Sequence, residues 1–280
     1  MRMCDTLFST RRFLPLMKKE LMENWKQNAM RFALMYGALA ILFVWQGYSE
    51  YRYTSFHNGK NIVEWEMGYY EVATFAFMMF VMGALSASFI MSPMKRKAGR
   101  INMLTLPATP FEKYIVRWLI YTVGFFVLYV IAYNLADLTR VIVYRVAYPD
   151  NEAIALADFF NHLVRESAHQ PLGDTLVNDS DHLWLIGSAY LFVHSLFTLG
   201  SSLWPKNSFL RTFVTVLILI VAYTLVFLGL ADWLITGHAN IDISIETALW
   251  TSVSIHVLLA LFFWTLAYYR YKESEIINRW

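Results

Sequence analysis

Polar and titratable residues are scarce in the apolar runs of this chain, so those that occur there are the first candidates for chemistry. His194 lies midway along one apolar run and His256 lies in another. Two imidazoles within a membrane could ligate a haem or relay protons. The plainer role is a hydrogen bond from a neutral imidazole to a serine or carbonyl on a neighbouring helix, with Ser195, Ser252 and Ser254 at hand. Glu71 opens one apolar run, and Asn134 and Asp137 close another. A charge at the bilayer centre costs about 2.5–3.5 kcal/mol on insertion scales, so these groups are expected at the interface, where they could line an external gate. No G-x-x-x-x-G-K-S/T loop, H-E-x-x-H, G-x-S-x-G or paired-cysteine pattern occurs. The lone Cys4 has no disulfide partner in the chain. No catalytic residue, metal-ligand set or cofactor is therefore assigned to this chain.

The densest positive charge lies elsewhere, in residues 92–118: Lys95, Arg96, Lys97, Arg100, Lys113 and Arg117 against one acid, Glu112. Within it, Thr109-Pro110-Phe111-Glu112 reads as a helix start. Thr109 can cap, Pro110 suits the first helical position, and Glu112 at the third completes a capping box. Pro107 ends whatever precedes it, which leaves 94–105 as a short separate helix lying under the membrane.

The elements that position these residues follow from composition. Only 16% of the 280 residues are charged and 58% are hydrophobic, far from the roughly one-quarter charged content of a soluble domain. The chain reads as one all-α integral membrane domain. Six spans are expected, at about 30–48, 69–92, 114–135, 183–204, 212–230 and 250–269. Each is near the ~20 residues that cross ~30 Å of hydrocarbon. Residues 1–29 precede them without the apolar core of a cleaved signal peptide. Over 13–28, Leu14, Met17, Leu21 and Trp25 share a face opposite Lys19, Glu23 and Lys26, which predicts an amphipathic helix along the interface.

Charge sets the orientation. The N-terminus, 92–118, the turn with Lys206 and the tail with Arg270, Lys272 and Arg279 are basic; the intervening loops are acidic or lack Lys and Arg. Both termini are then cytoplasmic. The 136–182 loop is external, with a short helix expected over 152–168, and 230–247 is apolar enough to dip back into the interface. The small residues Gly83, Ala84, Ser86, Ala87 and Ser88, and Gly200-Ser201-Ser202, permit close helix packing. Trp118, Trp204, Tyr268 and Tyr269 read as an inner aromatic belt.

The run Gly99-Arg100-Ile101-Asn102-Met103-Leu104-Thr105-Leu106-Pro107-Ala108-Thr109, followed by Glu112-Lys113 and Arg117, resembles the loop between the second and third spans of ABC-2 type permeases, closest to the form in Bacteroidota. Those permeases are the six-span membrane subunits of prokaryotic ABC exporters. The resemblance implies a cytoplasmic coupling helix at about 95–106 that docks on a separate ATP-binding cassette ATPase. Arg100, Ile101, Met103, Leu104, Pro107 and Glu112 would form or shape that contact. It further implies a second permease copy or paralogue as partner, ATP and Mg bound by the ATPase rather than by this chain, and residence in the prokaryotic cytoplasmic membrane. Nucleic acid is not an expected partner. Where many relatives carry an acid near the start of this loop, the chain has Lys95-Arg96-Lys97, and the substrate class does not carry over. Two other readings stand beside it: a non-transporting membrane scaffold or immunity protein, and an intramembrane enzyme using His194 or His256.

Overall fold

The computed structural model describes residues 8–54, 60–149, 180–236 and 245–276. Every regular element among them is helical. In chain order these are α1 (Thr10–Glu23), α2 (Trp25–Thr54), α3 (Lys60–Ser88), a 3-10 turn (Ser92–Lys95), α4 (Lys97–Thr105) and α5 (Pro110–Leu119). A π turn (Ile120–Gly124) then leads into α6 (Phe125–Ala147), followed by α7 (Ser180–Leu203), α8 (Ser208–Thr236) and α9 (Ile245–Ile276). Among the described residues, five segments are long and apolar enough to cross a membrane: Trp25–Tyr48, Pro110–Ala147, Leu183–Leu203, Ser208–Leu225 and Glu246–Ser274. Ala73–Ser88, within α3, is a shorter apolar helix. The all-helical, multi-pass membrane character read from composition therefore holds. Cys4, the 152–168 segment and residues 237–244 lie outside the described residues; of the 230–247 stretch expected to dip back into the interface, 230–236 continue α8 and 245–247 open α9.

Most of the long helices outrun the apolar segments that announce them. Hydropathy marks only residues at hydrocarbon depth, and a helix continues until a cap or proline stops it. The third long helix thus runs on to Ala147, so residues 136–147, expected in the outer loop, are the end of α6. At the N-terminus, the single helix expected over 13–28 is two. Asn24 interrupts it, its side chain donating to the Glu20 carbonyl at 3.1 Å and to Oε1 of Glu20 at 3.0 Å. α1 also starts earlier than expected, at Thr10, with Phe13 N–H donating to the Ser9 carbonyl, which puts Pro15 inside the helix. Leu14, Leu21 and Trp25 remain exposed, as an apolar stripe turned to lipid requires.

The chain divides into two compact units. One comprises Ser9–Gly83 and Leu119–Ile186, and its core joins α2, α3 and α6. Tyr129 and Tyr133 are buried there; Tyr133 meets Phe43 and Phe75 edge-on at 5.0 Å, and the Tyr129 hydroxyl donates to the Phe75 carbonyl at 2.8 Å. Burying a tyrosine requires such an acceptor, and each ring pair adds about 0.5–1.5 kcal/mol. α2 runs in the same direction as the π turn and α6, since their paired residues rise together: Arg31 with Tyr121, Tyr36 with Thr139, Val44 with Tyr144. Tyr144 reaches the Val44 carbonyl because residue 47 is glycine; a Cβ there would lie 2.5 Å from the tyrosine ring.

The other unit comprises Ala84–Trp118 and Gly187–Trp280. Ala84 and Ala87 receive Phe197, with Val193 and Phe209 packed against them, so the small residues of α3 serve close packing as expected. Gly200 lets α7 meet α8 at Thr212, whose hydroxyl a Cβ would overlap. The tight connection between them places Asn207 at φ 54°, a conformation asparagine tolerates better than most residues. Of the expected inner belt, Trp118 and Tyr268 pack against other aromatic rings of the protein. Trp118 packs edge-on against Trp264 at 5.2 Å, and Tyr268 meets Phe111 edge-on at 5.8 Å and lies tilted against Tyr114 at 5.6 Å, which ties α5 to α9. Only Tyr269 of that group is exposed.

Candidate functional site: a basic elbow

α3 ends at Ser88, and two tight turns lead into the 3-10 turn at Ser92–Lys95. Arg96 is extended (φ −117°, ψ 142°) and separates that turn from α4, so the single helix expected over 94–105 is a turn followed by a nine-residue helix. α4 folds back onto the turn at Gly99, where a Cβ would sit 2.5 Å from the Pro93 carbonyl oxygen. The helix stops at Leu106, which is extended as residues before proline are. Pro107 therefore acts as the expected breaker.

The capping box forms as read. Thr109 N–H donates to Glu112 Oε2 at 3.0 Å, and Glu112 N–H donates to Thr109 Oγ1 at 3.2 Å. Glu112 is fully buried. It shapes the elbow and is not presented to a partner.

The six cations of the elbow divide by role. Lys113 is 5% exposed and donates from Nζ to the Leu104 carbonyl at 3.3 Å, at the C-terminal end of α4. Arg117 is 3% exposed and donates to the Ile90 carbonyl at 2.6 Å, just past the end of α3. Both meet the negative end of a helix or the turn beyond it, where orphan carbonyls need donors. They brace the elbow from within. Lys95 lies over the Phe89 ring at 5.9 Å, Arg96 and Lys97 are exposed, and Arg100 is half-buried against a cleft.

The apolar residues of α4 divide too. Ile101 (54% exposed) and Leu104 (37%) face outward, whereas Met103 (6%) packs inward. Met103 is thus a support of α4 and not a contact residue, contrary to the expectation from sequence. Gly99 and Met103, four apart, hold the inner face; Ile101 and Leu104, three apart, the outer.

Each residue considered for a pathway or gate has its own local setting. Glu71 falls on α3, its side chain outside the described residues. Asn134 is exposed and donates to the Val130 carbonyl of its own helix at 2.7 Å. Asp137, expected at a solvated interface, is buried: Arg140 Nε donates to its Oδ1 at 2.7 Å, and both side chains are nearly inaccessible. Arg140 escaped the sequence reading, although its spacing of three from an acid was visible. His194 is fully buried between the rings of Tyr190 and Trp264, at 5.9 and 6.3 Å. His256 stacks on Phe192 at 5.5 Å and pairs Nδ1 with the Ser188 hydroxyl at 3.3 Å. A serine on a neighbouring helix is the expected kind of partner, but not one of the three named: Ser195, Ser252 and Ser254 donate to carbonyls of their own helices. Among the described residues, no three His, Cys, Asp or Glu side chains stand together as a metal site.

No family model, no curated protein and no solved structure matches this chain.

Proposed function

We propose that this chain is the six-span permease subunit of an ABC-2 type exporter, with α4 as its coupling helix. One observation supports this above the others. A nine-residue helix standing apart from the long ones carries outward Ile101 and Leu104 beside exposed Arg96 and Lys97, and is braced from behind by Gly99, Met103 and Lys113. An element that must transmit force between proteins needs an apolar contact face and a stiff seat, and α4 has both. In this reading Ala73–Ser88 belongs to a sixth span, both termini are cytoplasmic, and the membrane is the prokaryotic cytoplasmic membrane. A separate ATP-binding cassette ATPase binds ATP and Mg and grips α4. Two permease chains, identical or paralogous, enclose the path, and closure of the ATPases moves α4 and so opens the path outward. Arg100 then contributes charge near the contact, while Pro107 and Glu112 hold its geometry. The catalytic chemistry lies in the partner.

The test is co-isolation from native membranes. The wild-type chain should recover an ABC ATPase, and Ile101→Asp with Leu104→Asp should abolish that recovery. Both positions are exposed, so the double variant should keep its stability to within about 0.5 kcal/mol per site. Recovery unchanged by the substitutions removes α4 as the docking element. Failure of the wild type to bring down any such ATPase favours the non-transporting scaffold or immunity protein.

A further inference from the structure

We propose that the cleft between α4 and the ends of α7 and α9 binds the phosphate headgroup of an anionic phospholipid. Arg100 and Arg270 line this cleft, with Met91, Met94 and Leu104 forming its apolar side. Arg270 holds Glu273 at 3.3 Å, whereas the Arg100 guanidinium has no protein partner among the described residues. Two guanidinium groups against one carboxylate leave the cleft with a surplus positive charge. The serine hydroxyls that border it are already committed, Ser202 to the Leu199 carbonyl at 2.7 Å and Ser274 to that of Tyr271 at 2.6 Å. The donors left for a ligand are the guanidinium forks, whose geometry suits phosphate oxygens.

Depth and surface chemistry choose the source of that phosphate. The apolar segments of α7 and α9 end at Leu203 and Ser274, so the cleft opens where the spans run out, at headgroup level. Below Arg270, α9 carries exposed Leu266 (42%), Phe262 (58%) and Leu258 (66%) on a stripe that winds around the helix by about 40° at each four-residue step. This stripe supplies an acyl-chain track that leads to the cationic cleft. A free phosphate or a soluble partner's carboxylate would have no use for it. Basic pockets between spanning helices are a recognised seat for acidic lipid headgroups.

The experiment uses the full chain in neutral detergent with no ATPase present, so its outcome is separate from that of the exporter reading. Native mass spectrometry and thermal unfolding compare added phosphatidylglycerol, phosphatidylcholine of the same chains, and inorganic phosphate. Phosphatidylglycerol alone should be retained and should raise the unfolding temperature. Arg100→Gln with Arg270→Gln should weaken retention by roughly tenfold or more, the scale of losing charge-assisted hydrogen bonds. Lys97→Gln, an exposed cation outside the cleft, should change it less than about twofold, as a screened surface charge does. Equal retention of phosphatidylcholine overturns the proposal, as does an equal loss with Lys97→Gln. Inorganic phosphate stabilising the chain as well as the lipid does would make this a free-anion site, and that too overturns it. Arg100→Lys keeps the charge but loses the fork, and should weaken retention several-fold. Undiminished retention in that variant counts against the site even should the double variant fail to fold.

Discussion

Asp137 and Arg140 form an ion pair one helical turn apart inside the α2–α3–α6 unit, with side chains 5% and 3% exposed. A buried pair gives little net stability relative to apolar residues, but removing one member strands the other. Asp137→Ala should therefore destabilise the chain by about 3–5 kcal/mol, measured by thermal or chemical unfolding in detergent. Asp137→Ala with Arg140→Leu should recover much of that loss. Asn134→Ala, three residues away on the exposed face, should stay within about 0.5 kcal/mol of wild type. The contrast shows where residue-level reading worked and where it failed. The Thr109–Glu112 box was legible because all its partners lie within one turn. The pairing of Asp137 was equally local, yet the end of the apolar run suggested water where the helix carries on. Lys113 and Arg117 could not be placed from sequence at all, because their acceptors, Leu104 and Ile90, come from other elements.

At the scale of the element, glycines separate helices that touch from helices that do not. Gly37 and Gly187 face open space, and alanine at either should stabilise its helix by about 0.5–1 kcal/mol through lower unfolded-state entropy. Gly200 meets Thr212, so Gly200→Ala should overpack the α7–α8 contact and cost about 1–3 kcal/mol. Unfolding midpoints for the three variants check the sign of each. A destabilised Gly37→Ala, or a neutral Gly200→Ala, would mean that those helix faces are assigned wrongly. Sequence announced the small residues near Gly200 but not Gly47, which follows the large residues Leu42, Phe43, Val44, Trp45 and Gln46 rather than sitting in a run of small ones. The long helices themselves were legible from hydropathy; their ends were not, because ends depend on caps such as Asn24 and on helices that outlast the hydrocarbon.

For the whole molecule, the proposed topology predicts which surfaces share a side of the membrane. In a Cys4→Ser background, single cysteines at Lys97, Lys206 and Lys272 should react with an impermeant maleimide from one side, and a cysteine at Asn240 from the other. Labelling of position 97 from the side that labels 240 would defeat the arrangement. The outward faces of α8 and α9 agree with a lipid surround: Leu210, Phe213, Leu217, Ile220, Leu261 and Phe262 are all exposed, a pattern that in water would aggregate. Composition could announce that surround, since it requires only apolar residues on every side of a helix. It could not announce the cleft at Arg100, which exists only because helices distant in sequence meet.

The inward turn of Lys113 and Arg117 has a consequence in time. In the proposed topology, all six cations of residues 92–118 are available during insertion to hold that segment back from translocation. Once the helices dock, two of the six are withdrawn from solvent and become internal fasteners. Neutralising them would weaken the cue for insertion and later leave Leu104 and Ile90 without their donors, two injuries from one change. Neutralising Arg96 and Lys97 would touch only the first.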